Sequence, residues 1–214
     1  MNAAPILAPD VSHIPPELMQ FDQWVVWRLE NRGGKSTKVP YAPRLGSRAS
    51  VSNPSTWASF SDAIDAYHEA GGKLSGIGFV LSGNDGIGGV DLDHVRDPAT
   101  GDLHPAAEAL IERFGSYTEI SPSGTGIRIF GHSPRLLKGR AGVYRGIKVE
   151  CYSAGRYLTV TGQRLNGCDR LKPIGDTLAF VAQSLAKPST GSLFAEPADI
   201  PDHSAPTADL SGAD

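Results

Sequence analysis

Residues 86–97 read GIGGVDLDHVRD and place two aspartates, Asp91 and Asp93, one residue apart at the end of an apolar run. Side chains at i and i+2 of a strand point to the same face. Asp91 and Asp93 therefore stand side by side, with Val90 and Leu92 on the other face. Carboxylates this close repel each other. A divalent cation between them reverses the sign of the interaction. The plain alternative is a solvated strand end running into a loop, and D-x-D alone leaves both readings open.

Two further segments add chemistry. In GIKVECYSAGRYLTVTG, Val149 and Cys151 alternate with Lys148, Glu150 and Tyr152, so Glu150 faces away from the apolar positions. It is a candidate third carboxylate beside Asp91 and Asp93. Such a set holds Mg²⁺ or Mn²⁺ with positions open to phosphate oxygens and water. A cross-hairpin ion pair with Arg156 or Lys148 accounts for Glu150 equally well. In SPSGTGIRIF, the residues Ser121, Ser123, Gly124, Thr125 and Gly126 form a small, hydroxyl-rich loop whose backbone N–H groups suit a phosphate. Arg128 alternates with Ile127 and Ile129 and offers a guanidinium fork beside it. An ordinary hairpin turn with a surface arginine is the bland equivalent. Trp24, Trp27 and Trp57 could stack on bases, but their patterned positions also fit a core.

The elements that must position these residues are short strands and helices in alternation. QWVVWRLE and TKVPYAP flank NRGGKS and read as a hairpin. GIGFVLS and IGGVDLD around GNDG read as a second hairpin, SYTEIS and GIRIFG around PSGT as a third, and GIKVECYS and RYLTVTG around AG as a fourth. Helices are expected within NPSTWASFSDAIDAYHEAGG, in HPAAEALIERF and in IGDTLAFVAQSLA. Hairpins with helices between them predict an α+β protein with mostly antiparallel sheet.

Composition narrows the class. The chain has 214 residues, 40% of them hydrophobic and 20% charged, which fits a soluble globular protein. No apolar run approaches the ~20 residues of a membrane helix. The N-terminus has neither a basic start nor a long apolar stretch, so it does not read as a secretory signal. Cys151 and Cys168 have no zinc spacing and make no disulfide framework, so a reduced, cytoplasmic setting is expected. Residues 188–214 carry five acids and no Lys or Arg. Between Ile120 and Arg170 there are nine Lys or Arg against two acids, a balance that suits a polyanion. Residues 1–13 read as a flexible lead-in and residues 186–214 as a disordered, acidic, Pro/Ser/Ala-rich linker.

The order of four segments carries a resemblance. VPYAPRLGSRASVSNPSTWASFSDAIDAY, then GIGFVLS with GIGGVDLDHVRDPATG, then SYTEISPSGTGIRIF, then VECYSAGRYLTVTG, is similar to the N-terminal primase-polymerase domain of phage, plasmid and integrated-element replication proteins. That family belongs to the archaeo-eukaryotic primase superfamily, and the resemblance covers residues 14–185. It implies two α/β parts, one like an RNA-recognition motif, with an active site between them. It also implies template-dependent nucleotidyl transfer, as DNA primase or DNA polymerase, by a two-metal mechanism. Asp91, Asp93 and Glu150 fall on the metal acids, with Mg²⁺ or Mn²⁺ as cofactor. Ser121, Ser123, Gly124, Thr125, Gly126 and Arg128 fall on the nucleotide-binding segment, and Arg156 is the next candidate contact. The family usually has His where Arg128 stands, which puts an acid–base role at that position in doubt. The implied partners are single-stranded DNA, dNTP or NTP substrates and a downstream helicase domain, with no membrane. The alternatives are a metal-dependent nuclease and a non-catalytic DNA-binding module that recruits the helicase.

Overall fold

The computed structural model describes residues 6–134 and 139–185. Among the described residues, nine strands form two sheets. The first has the order β2-β1-β3-β9, from Trp24–Arg32 (β1), Lys35–Tyr41 (β2), Gly76–Leu81 (β3) and Arg156–Val160 (β9). The second has the order β5-β6-β4-β8-β7, from Ile87–Asp93 (β4), Thr118–Ile120 (β5), Ile127–His132 (β6), Arg140–Tyr144 (β7) and Ile147–Tyr152 (β8). Every strand pair in both sheets is antiparallel. The α-helices among the described residues are Pro16–Met19 (α1), Phe60–Glu69 (α2), Pro105–Phe114 (α3) and Gly175–Ser184 (α4). The α+β expectation with mostly antiparallel sheet agrees with this architecture.

Local chemistry explains most of the elements. Gly33 and Gly34 both take positive φ and close the β1–β2 hairpin. Ser59 and Asp62 form a reciprocal capping box at the start of α2. Pro105 opens α3, and Gly115 ends it in the left-handed region. One face of the five-stranded sheet is apolar. Val90, Leu92, Ile127, Ile129, Val149 and Cys151 pack there on Ala107, Leu110 and Phe114 of α3 and Leu178 and Val181 of α4. Trp24, Val26, Ile77 and Phe79 pack with Leu18 of α1 and Ala63 of α2, in a cluster that also takes Ile87, Tyr117 and Phe130 from the second sheet.

The paired glycines of GIGGVDLD are where the layers come closest. A Cβ on Gly88 would lie 2.8 Å from Leu178 of α4, and one on Gly89 would lie 2.5 Å from Leu158 of β9. Gly88 lets a helix approach one face of β4, and Gly89 lets the other sheet approach the opposite face.

Two expected hairpins are corrected. β3 pairs with β1 and β9, whereas β4 pairs with β6 and β8, so the GNDG turn carries the chain from one sheet to the other. β8 and β9 are likewise in different sheets. Both turns are sound as turns. The Asp85 carboxylate accepts from the Ser82 and Ile87 amides, which fixes the first bend. Partner choice is what local sequence does not carry, because it depends on long-range burial of both faces. The reading also passed over β7. This edge strand has an exposed, mixed pattern and turns into β8 at Arg145 and Gly146, both with positive φ. In the lead-in, Leu7 N–H donates to Pro122 O and Asp10 N–H to Thr161 O, so this part of it lies against the body. The expected linker at 186–214 lies outside the described residues.

Candidate active site

Register puts the candidate residues in rows on the sheet face opposite α3 and α4. Asp91 of β4 is paired with Arg128 of β6 on one side and with Glu150 of β8 on the other. Arg128 is in turn paired with Glu119 of β5. The row therefore reads Glu119, Arg128, Asp91, Glu150. Asp93 lies one step along the same face, opposite Lys148 of β8. Beyond Leu92↔Ile127 the β4–β6 pairing ends, and the Ser121–Gly126 loop begins past that point.

Asp91 is largely buried. Its Oδ2 accepts from Arg128 Nη2 at 3.3 Å, with side-chain exposures of 14% for Asp91 and 5% for Arg128. Among the described residues, Asp91 Oδ1 is buried with no hydrogen-bond partner. Arg128 Nη1 donates to Thr159 O at 3.2 Å and also to Thr159 Oγ1. Thr159 is on β9, the edge of the first sheet, so Arg128 ties the two sheets together. Glu150 Oε2 accepts from Arg156 Nη2 at 2.8 Å and from the Tyr152 hydroxyl at 3.0 Å. The ion pair weighed from sequence is therefore present. As they stand, no three His, Cys, Asp or Glu side chains among the described residues are grouped to hold a metal ion.

A cavity of about 600 Å³ opens against Asp91 and Arg128, with Lys38, Arg156, Tyr157 and Thr159 on its walls. By register, Trp27, Lys38, Gly78, Tyr157 and Thr159 share one face of the first sheet. Gly78 leaves room for the Tyr157 ring, and the Tyr157 hydroxyl donates to Lys38 O at 2.7 Å. The Lys38 ammonium lies 5.9 Å from the centre of the Trp27 ring. Burial, together with the charge of Arg128, pulls that ammonium down to about 8, while Asp91 and Asp93 act in the opposite sense.

The 121–126 loop differs from its sequence reading. Gly126 N–H donates to Ser121 Oγ at 3.0 Å, and Gly124 N–H to Ser121 O at 2.9 Å. A turn this tight closes its own hydrogen bonds, so these two N–H groups are not presented outward. Ser123 and Thr125 hydroxyls lie 2.9 Å apart and remain at the surface. The loop is fastened to the end of β4. Val95 and Arg96 N–H both donate to Thr125 O, and Arg96 Nη1 donates to Gly124 O. The structure thus brings Asp91, Arg128 and Arg156 to one cavity, and places the loop beyond Asp93.

Sequence reasoning missed Glu119, Lys38 as a cavity cation, and Arg96. Glu119 is fully buried. It accepts from Thr161 N–H at 3.0 Å, Gly162 N–H at 2.9 Å and the Tyr117 hydroxyl at 2.8 Å. Burial pushes its carboxyl up to about 7, against these bonds and the charge of Arg128. A lone acid in TEIS gives one hint, since every second position there points to one face. Glu119→Ala leaves buried donors from β9's end unpaired, and each costs about 1–3 kcal/mol. Chemical denaturation is expected to show a loss of about 3 kcal/mol. A change within ~0.5 kcal/mol, as at ordinary surface sites, would show that Glu119 does not join the sheets.

Two antiparallel sheets thus meet at a carboxylate row, with a cation-walled cavity beside it. No protein-family model matches the chain. Over 159 residues, 73% of its length, the chain is 36% identical to a phage protein, a similarity that supports a domain of the primase-polymerase type. That relative is the DNA primase-polymerase of Nitratiruptor phage NrS-1, of which the match covers 21%. The chain spans about a fifth of the length of the curated relative it matches.

Proposed function

We propose that residues 14–185 catalyse template-dependent nucleotidyl transfer, as a primase or DNA polymerase, in the replication of a mobile element. The observation that carries this reading is the row Arg128, Asp91, Glu150, of which Arg128 and Asp91 line a cavity together with Lys38 and Arg156. Carboxylates beside cations suit a metal-bound triphosphate. A nuclease needs the same acids but no triphosphate site, and the similarity to a DNA primase-polymerase favours the transferase reading.

Asp91 and Asp93, joined by Glu150, are the residues that would hold Mg²⁺ or Mn²⁺. The buried, unpartnered Oδ1 of Asp91 supports the fit, because such an oxygen is costly unless something occupies it. Glu150 would join by exchanging Arg156 for the ion. When bound, the metal lowers the pKa of the attacking hydroxyl and neutralises the leaving pyrophosphate. The protein's own part is positioning. Arg128 holds Asp91 from one side, and Tyr157 fixes Lys38 across the cavity floor. Lys38 and Arg156, with the Ser123 and Thr125 hydroxyls, supply the contacts for phosphate oxygens, and the exposed Arg140, Arg145 and Lys148 follow a single DNA strand. The fold reading extends to the archaeo-eukaryotic primase type. The five-stranded sheet backed by α3 and α4 is its RNA-recognition-motif-like part. A helicase downstream and a cytoplasmic setting belong to the same proposal. No helix among the described residues is long and apolar enough to cross a membrane.

The test is incorporation of labelled dNTP and NTP on a bare single-stranded template, with Mg²⁺ and with Mn²⁺. Template-dependent products support the reading. Degradation of the template without incorporation would favour the nuclease, and metal-independent DNA binding without either would favour the recruiting module.

Lys38 gives a second check, with a sign that can be worked out. In the metal-free protein it is charged below about pH 8, and a cation on Asp91 and Asp93 would offset the carboxylates that raise it, so kcat/KM for nucleotide is expected to fall as pH rises through a value no higher than that. Lys38→Gln should lower kcat/KM and remove this inflection. Its folded value lies below the unfolded 10.5, so the charged form weakens the fold below about pH 8, and this penalty is gone above 10.5. Lys38→Met should therefore melt no lower than wild type at pH 7 while binding nucleotide less well. A lower melting temperature with unchanged kcat/KM would make Lys38 structural.

A further inference from the structure

A second cavity, of about 550 Å³, adjoins the first and shares Val51 and Gly155 with it. Its walls differ in kind. Gln23, Ser52, Trp57, Ser82 and Asn84 line it, and no charged side chain among the described residues does. We infer that this cavity is a pocket for an unpaired nucleobase. The inference rests on the proposed polymerase reading, since it puts a base next to the cavity assigned to the triphosphate.

Trp57 is the principal wall. Trp24 and Trp27 are 0% and 1% exposed and belong to the interior, whereas Trp57 is half-buried. Its position is fixed from several sides. The indole N–H donates to Ser50 O at 2.7 Å, and the backbone N–H donates to Pro54 O at 3.0 Å. The next residue, Ala58, exchanges two backbone hydrogen bonds with Trp24 of β1. An indole held this way offers stacking area at little further entropic cost.

The opposite wall is built by a charge that does not face the cavity. Asp85 Oδ2 accepts from Gln23 Nε2 at 2.7 Å and from Ser82 N–H and Oγ–H at 2.9 and 2.8 Å. Gln23 Nε2 also donates to Val80 O at 2.6 Å. Both of its N–H bonds are therefore used, and what Gln23 can still offer is a carbonyl acceptor. Asn84, exposed at the rim, carries an amide with both donor and acceptor. Neutral donors and acceptors around a rigid indole suit the edge and face of a base. They do not suit a phosphate, which has Lys38, Arg128 and Arg156 on the other side of Val51 and Gly155. The base can come from the incoming nucleotide or from the template strand, and the chemistry is the same.

Quenching of tryptophan fluorescence in the full chain reads this pocket, because Trp24 and Trp27 are shielded. The probes are dATP, a mixed-sequence single-stranded oligodeoxynucleotide and an abasic oligonucleotide of equal length, the strands being titrated without divalent metal. We expect quenching by the base-bearing strand or by dATP, whichever supplies the base, and none by the abasic strand. Trp57→Ala should weaken binding of the quenching probe roughly ten- to hundred-fold, and Trp57→Phe should retain most of it. Equal binding of base-bearing and abasic strands to the wild-type protein, with no quenching by dATP, overturns the proposal, even should Trp57→Ala fail to fold. Incorporation is measured alongside. Normal incorporation with base-independent binding sinks the pocket alone. Base-dependent quenching without any incorporation supports the pocket and sinks the polymerase reading.

Discussion

Asp93→Asn is expected to retain the fold and to lose template-dependent incorporation by on the order of 10³-fold or more. The substitution removes one negative charge from the face shared with Asp91 and leaves the side-chain shape unchanged. Asp93 is the cleaner of the two aspartates to test. It stands half-buried at the end of β4, across from Lys148. Asp91 is instead engaged with the buried Arg128, so Asp91→Asn loses activity and also leaves a guanidinium without its counter-charge. Asp91→Asn should thus show a lower melting temperature together with the loss of activity, and Asp93→Asn the loss of activity alone. Folded Asp93→Asn that incorporates nucleotide at near wild-type rate would remove Asp93 from the site.

Arg128→Ala is the second large effect, and its size follows from burial. At 4% exposure Arg128 is too enclosed to act only as a phosphate clamp. It is bonded to Asp91 and to both acceptors of Thr159, and it is paired across the strand with Glu119. Removing one member of a buried pair leaves the other charge uncompensated, at about 3–5 kcal/mol. A loss of about 3 kcal/mol in denaturant-induced unfolding is expected, with incorporation lost as Asp91 moves. Arg128→Lys keeps the charge and loses the fork, so it should recover part of the stability. Unchanged unfolding with a raised KM for nucleotide would instead make Arg128 a free phosphate contact. Family relatives usually carry His at this position, by the resemblance drawn from sequence. The neighbours found here, a carboxylate and a threonine on the facing sheet, are a reason for Arg to be held in its place.

Much of this was legible in the sequence because it is local. Alternation of Val90, Asp91, Leu92 and Asp93 told which residues share a face, and the same period put Glu150 and Arg128 on the polar side of their strands. Capping residues and a Gly-Gly stop gave α2, and a proline start with an apolar stripe of Ala106, Leu110, Ile111 and Phe114 gave α3. What was not legible depends on residues far apart. GNDG and AG read as hairpin turns, and no local feature says that their flanking strands join different sheets. Those crossings put β9 against β6 and so place Thr159 on Arg128 and Gly162 on Glu119. The cavity exists only because of them. The glycine-rich loop misled in a different way. Its composition matches a phosphate cradle, but two of its N–H groups are consumed by the turn itself.

In the proposed reaction Asp91, Asp93 and Glu150 together would hold the metal ions. The most direct measurement is titration of Mn²⁺ against the full chain, followed by electron paramagnetic resonance of the free ion, with and without dNTP. Wild-type protein is expected to bind Mn²⁺ and to bind it more tightly with nucleotide, while Asp93→Asn and Glu150→Gln each lose most of that binding. Glu150 is paired with Arg156 of the other sheet through Oε2, so the Mn²⁺ affinity of Glu150→Gln separates a metal ligand from an ion pair between the sheets. Mn²⁺ binding that is the same in wild type, Asp93→Asn and Glu150→Gln would contradict the assignment of the site.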